Sequence, residues 1–373
     1  MTPVLPLPPV SPPPLPPGFE ESLRGWPDPA AAEALAGVAP GYDTAWWRTA
    51  LGRGWFPSPD SRSGFGVLVR EAERLGAAAM PTPLLNGFVL GGFALLFAGD
   101  ARAHREHLAP LVSGERRYAT GLTGRAGSYA PDGTHLVARP HAEGWVLDGA
   151  VCFVPHAADA DVLLVLARSG DGHTLFAVDP AAAGVSARLL PTLGRDGQCE
   201  ITMNAVRLPA SAVVGTPGAA WNHVKSAIDR TLIVQCADMV GAADGALRHT
   251  VEHVKTRHQW GLPLGVLQSV QHRCADMLTD VTACRDAVYA AAALVEAGEP
   301  LGTTASVLKA LCAPRCRAVS AAAHQLAGGE GIHADVPLHL WYRRIKAGEP
   351  MLGGPRFHRS VLSDALLGPS STG

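Results

Sequence analysis

A chain of 373 residues, 47% hydrophobic and 17% charged, is long enough to bury a large core and to divide into more than one domain. A formal net charge of −2 and a pI near 6.7 argue against a nucleic-acid or membrane-surface partner, which would call for a basic face. The seven cysteines (152, 199, 236, 274, 284, 312 and 316) are odd in number and scattered. Most lie in apolar helical surroundings, where a free thiol acts as a small hydrophobe, and the four-residue spacing of Cys312 and Cys316 comes with no partner at zinc spacing.

Residues 1–18 are half proline and read as a disordered, polyproline-like tail, with a docking ligand as the alternative. Prolines interrupt every apolar run there, which fits no signal peptide. No uncharged stretch reaches the length of a membrane span, so a cytoplasmic protein is expected. From 19 to 117, alanine- and leucine-rich helical patterns at 42–55, 63–85 and 87–115 predict an N-terminal α-helical domain. From 118 to 216 the pattern changes to short β-branched or alternating runs at 134–140, 144–154, 161–168, 173–179 and 199–209. Asp132-Gly133, Glu143-Gly144 and Asp171-Gly172 mark the turns of this β domain.

From 217 to 373 the chain is helical again. Ile228, Leu232, Cys236, Met239, Ala243, Leu247, Val251 and Val254 recur at steps of three and four, the buried face of one long helix. It breaks at Gly261-Leu262-Pro263-Leu264-Gly265, where proline cannot continue a helix. A second helix carries Leu267, Val270, Cys274, Met277 and Val281. Segments at 285–297, 303–327 and 338–346 follow, with a glycine-rich interruption at 327–331, and together they suit a four-helix bundle. His104 with His107, and His249 with His253, have helical spacing suited to metal but no third ligand, so they read as solvated faces. No P-loop, GxSxG or CxxC motif is present.

Around the break sit Arg257, Gln259, Trp260, Gln268, Gln271 and His272: a fixed cation, three amides, an indole and an imidazole, well suited to a polyanionic ligand with an aromatic part. The run from Thr256 to Met277 resembles a motif of the acyl-CoA dehydrogenase family nearly position for position, with Trp260 in place of phenylalanine. The resemblance extends over about residues 19–365. It implies a mainly α fold with a central β-barrel: an N-terminal α-helical domain, the barrel, then a C-terminal four-helix bundle. It also implies FAD as cofactor, its isoalloxazine lying where barrel and bundle meet.

Gln325-Leu326-Ala327-Gly328-Gly329-Glu330-Gly331 resembles the family's Q-x-x-G-G-x-G, whose backbone amides approach the FAD pyrophosphate of a neighbouring subunit; a side chain at Gly328 or Gly329 would block that approach. A homo-oligomer, dimer or tetramer, or a heteromer with a related subunit is therefore expected. Arg257, Gln259, Trp260, Gln268 and Gln325 are the expected cofactor contacts. Residues 122–128 resemble a loop that touches flavin and thioester: Thr123, Gly127 and Ser128 remain, Gly124 and Arg125 replace Glu and Pro, and the loop is one residue shorter. Phe153 is placed to stack on the flavin. Pro155 replaces a threonine that donates to flavin N5, a bond proline cannot make.

The family's reaction removes the α-proton of an acyl thioester while hydride leaves the β-carbon. The base is commonly a glutamate in a late turn, and Leu352 stands at that place. A second branch has its glutamate just before an arginine on the opening C-terminal helix, where this chain has Asp229-Arg230. Asp229 is the candidate base, one methylene shorter; its alternative is a carboxylate near a helix N-terminus paired with Arg230 or Lys225. Glu349 is a weaker candidate, and His333 and Asp335 are placed near the adenine half or on the surface. Ser128, Arg230 and Leu352 are expected to line the substrate, a thioester on CoA or on a carrier protein. Arg343-Arg344 is a candidate interface pair. Three readings stay open: a thioester dehydrogenase of specialised metabolism, a redox-degenerate scaffold or heteromer partner, and a flavin-dependent hydroxylase.

Overall fold

The computed structural model describes residues 11–36 and 38–368. Residues 1–10 of the proline-rich stretch lie outside the described residues; in its remainder, the carbonyls of Pro12 and Pro13 accept from the Arg70 guanidinium. Two units are distinguished, one of Glu33–Asp60 and Pro81–Thr231, the other of residues to Ala32, Ser61–Met80 and Leu232 onward.

In the first of these, the β-branched runs become β1 (Tyr118–Gly121), β2 (Val137–His141), β3 (Gly144–Val154), β4 (Val162–Ser169), β5 (Gly172–Val178), β6 (Val185–Leu189), β7 (Cys199–Pro209) and β8 (Val213–Val214). They form one mixed sheet in the order β6-β7-β3-β2-β4-β5-β8, with β1 parallel on β4. Among the described residues the pairing runs from β6 to β8, and the closure of a barrel, which the resemblance implies, is not shown by it. Alternation puts Leu147, Val151, Phe176, Val178, Ile201 and Met203 into a common core. β1, β6 and β8 escape the sequence reading because β1 and β8 are very short and β6 is almost entirely exposed.

The helices are α1 (Phe19–Ser22), α2 (Pro29–Leu35), α3 (Thr44–Gly52), α4 (Phe65–Ala78), α5 (Gly91–Ala98), α6 (Ala101–Ala103), α7 (Ala109–Ser113), α8 (Ala220–Thr256), α9 (Gln268–Ala297), α10 (Thr304–Ala327), α11 (Leu338–Gly348) and α12 (Pro355–Leu367). Asp43 caps α3 by accepting from the amides of Ala45 and Trp46 at 2.9 Å. The long helix expected from the apolar period is α8. In α9 the segment at 285–297 proves continuous with the helix before it, because Cys284, Val288, Ala291 and Val295 extend the buried stripe of Met277 and Val281. Arg285 interrupts the apolar pattern without ending the helix: its Nε donates to Glu73 Oε1 at 2.6 Å. α10 packs against α9, α11 and α12. No helix among the described residues is long and apolar enough to cross a membrane.

α4 and α8 meet backbone to backbone. A Cβ on Gly76 would lie 2.0 Å from the Asp238 carbonyl oxygen, and one on Gly241 1.8 Å from that of Glu73, so both positions admit only glycine. Arg344 on α11 seals the same region: its Nη2 donates to Asp238 Oδ1 at 2.6 Å and its Nη1 to the Met80 carbonyl at 2.9 Å. Arg344 is thus turned inward as a structural ion pair, contrary to the interface role expected for it.

Candidate active site

The break after α8 is a two-stranded hairpin, with Gln259 opposite Leu262 and His258 opposite Pro263. Trp260 and Gly261 occupy its tip with φ of 50° and 81°, the two left-handed residues of a type I′ turn. This geometry pushes the indole outward, and Trp260 is 85% exposed. Arg257, Gln259, Gln268, Gln271 and His272 are exposed around it, and Gln271 donates to the Gly265 carbonyl at 2.9 Å.

The glycine motif ends α10. Gly328 closes the helix with φ 59°, and a Cβ built on Gly328 or Gly329 would meet nothing within 4 Å, so the backbone there is open to a ligand. Gln325 is exposed one turn earlier. The structure brings this motif to Arg257: Nη1 donates to Glu330 Oε1 at 2.7 Å, and His253 Nδ1 lies 3.8 Å from Glu330 Oε2. The expected cofactor contacts Arg257, Gln325, Gly328 and Gly329 therefore share one surface with a carboxylate among them. The donors and open glycines fit a dinucleotide's phosphates, and Glu330 supplies a counter-charge within that set.

Leu352, which the resemblance leads us to expect in the late turn, is 3% exposed and held at φ 57°, a conformation that is an outlier for a leucine. Two buried groups hold it. Lys309 Nζ, on α10, donates to the carbonyls of Gly348 at 2.5 Å and Met351 at 3.0 Å and to Gln235 Oε1 at 2.6 Å. Those acceptors match the three donors of an ammonium. Burial nevertheless pulls its pKa down to about 8. His358 Nε2 lies 3.0 Å from the Leu352 carbonyl, while its Nδ1 lies 3.0 Å from Ser306 Oγ on α10. Sequence reasoning missed Lys309, yet its register with Ala305, Leu308, Cys312 and Cys316 on an apolar face carried the signal. Glu349 is engaged elsewhere, accepting from Lys346 at 2.8 Å and lying 3.3 Å from Arg317.

In the unit with the sheet, the 122–128 loop seats on a bulge of β3. Cys152 donates its amide to the Thr123 carbonyl at 2.8 Å, and the buried Thr123 hydroxyl donates to the Ser128 carbonyl at 2.6 Å. Ser128 Oγ accepts from the Ala130 amide at 3.3 Å. Phe153, at φ 57° in the bulge, is turned out and 39% exposed, its ring within 3.6 Å of a Cβ built on Gly127. Asp229 is buried to 9% exposure, with Lys225 Nζ bonded to both oxygens at 2.5 and 2.6 Å. Burial raises its pKa and Lys225 opposes the rise without cancelling it. The Arg230 guanidinium lies 4.5 Å above the Phe97 ring, and its Nη1 donates to the Ser226 carbonyl at 3.2 Å.

Among the described residues no group of His, Cys, Asp or Glu is arranged to hold a metal. His104 lies 3.1 Å from the Leu95 carbonyl and His107 3.2 Å from the Tyr118 hydroxyl. His333 and Asp335 are exposed, and every cysteine is free.

The descriptions "Acyl-CoA dehydrogenase, middle domain" and "Acyl-CoA dehydrogenase, C-terminal domain" match residues 119–206 and 218–367. The probable acyl-CoA dehydrogenase FadE25 of Mycobacterium tuberculosis is 30% identical over 314 residues, covering 81% of this chain and 79% of that protein. Among solved structures, the steroid ACAD Tcur3481-Tcur3483 aligns with a TM-score of 0.82 at 28% identity, over 93% of this chain and 94% of that one. The ChsE4-ChsE5 complex of Mycobacterium tuberculosis aligns at 0.84 with 24% identity, over 94% and 96%. Members of the family are FAD-binding flavoproteins and oxidoreductases. These matches make this chain a member of the acyl-CoA dehydrogenase family.

Proposed function

We propose that the protein is an FAD-dependent dehydrogenase that introduces an α,β double bond into an acyl thioester, with Asp229 as the base. The observation that carries this reading is a buried carboxylate with a raised pKa in the Asp-Arg pair at the start of α8. A base must be ionised yet poised to take a proton, and opposing effects of burial and Lys225 set that balance. Bound FAD would supply the acceptor for the hydride leaving the β-carbon. Asp229 would receive the α-proton, Lys225 would orient its carboxylate, and the loop of Thr123 and Ser128 would border the thioester. Arg257, Gln259, Trp260, Gln268, Gln325 and the open glycines would hold the dinucleotide in an oligomer, with Phe153 against the flavin ring.

The second reading is a non-catalytic partner in a heteromer. It is favoured by Leu352 in the turn where a carboxylate is absent and by Glu330 against Arg257. The test is the visible spectrum of the purified protein, followed by anaerobic titration with CoA esters of the wild type and of Asp229→Asn. Flavin bleaching that the variant abolishes is the expected result. A yellow wild type that no thioester bleaches would overturn dehydrogenation in favour of the heteromer partner.

A further inference from the structure

The carboxylate of Glu200 on β7 is 4% exposed and has both oxygens engaged by arginines. Arg125 Nε, from the 122–128 loop, donates to Oε1 at 2.5 Å, and Arg188 Nη2, from the facing position of β6, donates to Oε2 at 2.5 Å. The Cys152 thiol closes the arrangement 3.7 Å from Oε1. The two guanidiniums hold the carboxyl at a pKa of about 2, so it stays ionised across the physiological range. Both arginines are anchored at one end only: their side chains remain 78% and 67% exposed, and each guanidinium has five donors of which one bond to Glu200 uses a single nitrogen. The trio carries two positive charges and one negative charge, leaving one net positive charge at the surface.

The loop itself is fixed. Gly124 donates its amide to the Gly133 carbonyl at 2.9 Å, and a Cβ at that position would press against the His135 ring at 2.8 Å. Arg125 therefore projects from a seated turn, beside the bulge that exposes Phe153. On the other side, Arg188 is followed by Leu189, 44% exposed, on the edge strand.

We propose that Arg125 and Arg188, spread and oriented by Glu200, form a docking fork for an anionic oxygen group, phosphate or carboxylate, carried by the thioester substrate. A fixed pair of guanidiniums suits such a planar or tetrahedral oxyanion, because their geometry is set before the ligand arrives and little side-chain entropy is lost on binding. The inference rests on the reading of a thioester substrate. It adds that part of the recognition is ionic and occurs on the sheet, through a residue that stands where the family's loop has proline.

Calorimetric titration of the flavin-loaded protein tests it with three ligands: CoA, pantetheine, which lacks phosphate, and the pantetheine thioester of a dicarboxylic acid, which adds a carboxylate without phosphate. They are compared for the wild type, Arg125→Gln, Arg188→Gln and the double variant, with flavin absorbance as the check on folding and cofactor. The double variant is expected to bind at least about ten-fold more weakly to the anion-bearing ligand, with a shallower salt dependence and unchanged pantetheine binding. Loss confined to CoA assigns the fork to phosphate; loss confined to the dicarboxylic thioester assigns it to an acyl carboxylate. Unchanged binding of both in the yellow double variant overturns the fork alone. Failure of the yellow wild type to bind any of the three overturns the thioester reading and the fork with it.

Discussion

Glu71 on α4 is fully buried, and neither of its carboxyl oxygens has a hydrogen-bond partner among the described residues. Burial alone lifts its pKa from 4.5 to about 9, so the native state holds a proton that the unfolded chain releases. Between those two values the folded form binds more protons, and stability falls as pH rises, by about 1.4 kcal/mol per pH unit for a single site. Urea unfolding at pH 5 and pH 8 should show Glu71→Met removing this slope and gaining stability mainly at the higher pH. An unchanged slope would mean another group carries it. At Asp229 burial raises the pKa in the same direction, but the base works only when ionised, and Lys225 opposes the rise. Lys225→Met should move the acidic limb of a thioester-bleaching profile to higher pH, and a limb that stays in place would remove Lys225 from the site. Such residues mark the limit of sequence reading. Arg257, Trp260 and Gln325 could be named as candidates because their types and spacing belong to a motif. Lys309, Glu71 and Glu200 were not, because burial and contact assign their roles.

At the scale of elements, regular periodicity was decisive for α8 and misleading only where a polar side chain entered it. Arg285 looked like a boundary, and the carboxylate of Glu73 shows why it is not one. The short strands β1 and β8 and the exposed β6 had no period long enough to register. Contacts between elements were equally hidden: nothing local marks Gly241 as the place where α4 presses on α8, and Gly241→Ala should destabilise the fold by about 1–3 kcal/mol through overpacking. A thermal melt would detect it, and an unshifted melting temperature would show that the helices can separate without cost. At the glycine turn the Arg257–Glu330 pair makes an opposite kind of prediction. Glu330→Gln frees the cation, so the purified protein should retain more flavin, whereas Arg257→Gln should retain less; equal flavin content in both would dissociate this surface from the cofactor.

For the whole molecule, the order helical region, β region, helical region was readable from the changes in period, and the family from one run of 22 positions between Thr256 and Met277. The strand order and register were not readable, because strand pairing is a long-range property. If FAD binds the native state, FAD at one hundred times its Kd should stabilise the whole chain by about 2.7 kcal/mol, read as a concentration-dependent rise in melting temperature. No rise at any FAD concentration would argue for the non-catalytic reading. The hairpin tip has a practical consequence for following such events. Of the eight tryptophans, Trp260 alone is exposed. The longest-wavelength part of the intrinsic emission, and its susceptibility to acrylamide quenching, should therefore come from one turn of the chain, so any ligand or second subunit that covers the hairpin will announce itself as a blue shift without a label having to be introduced.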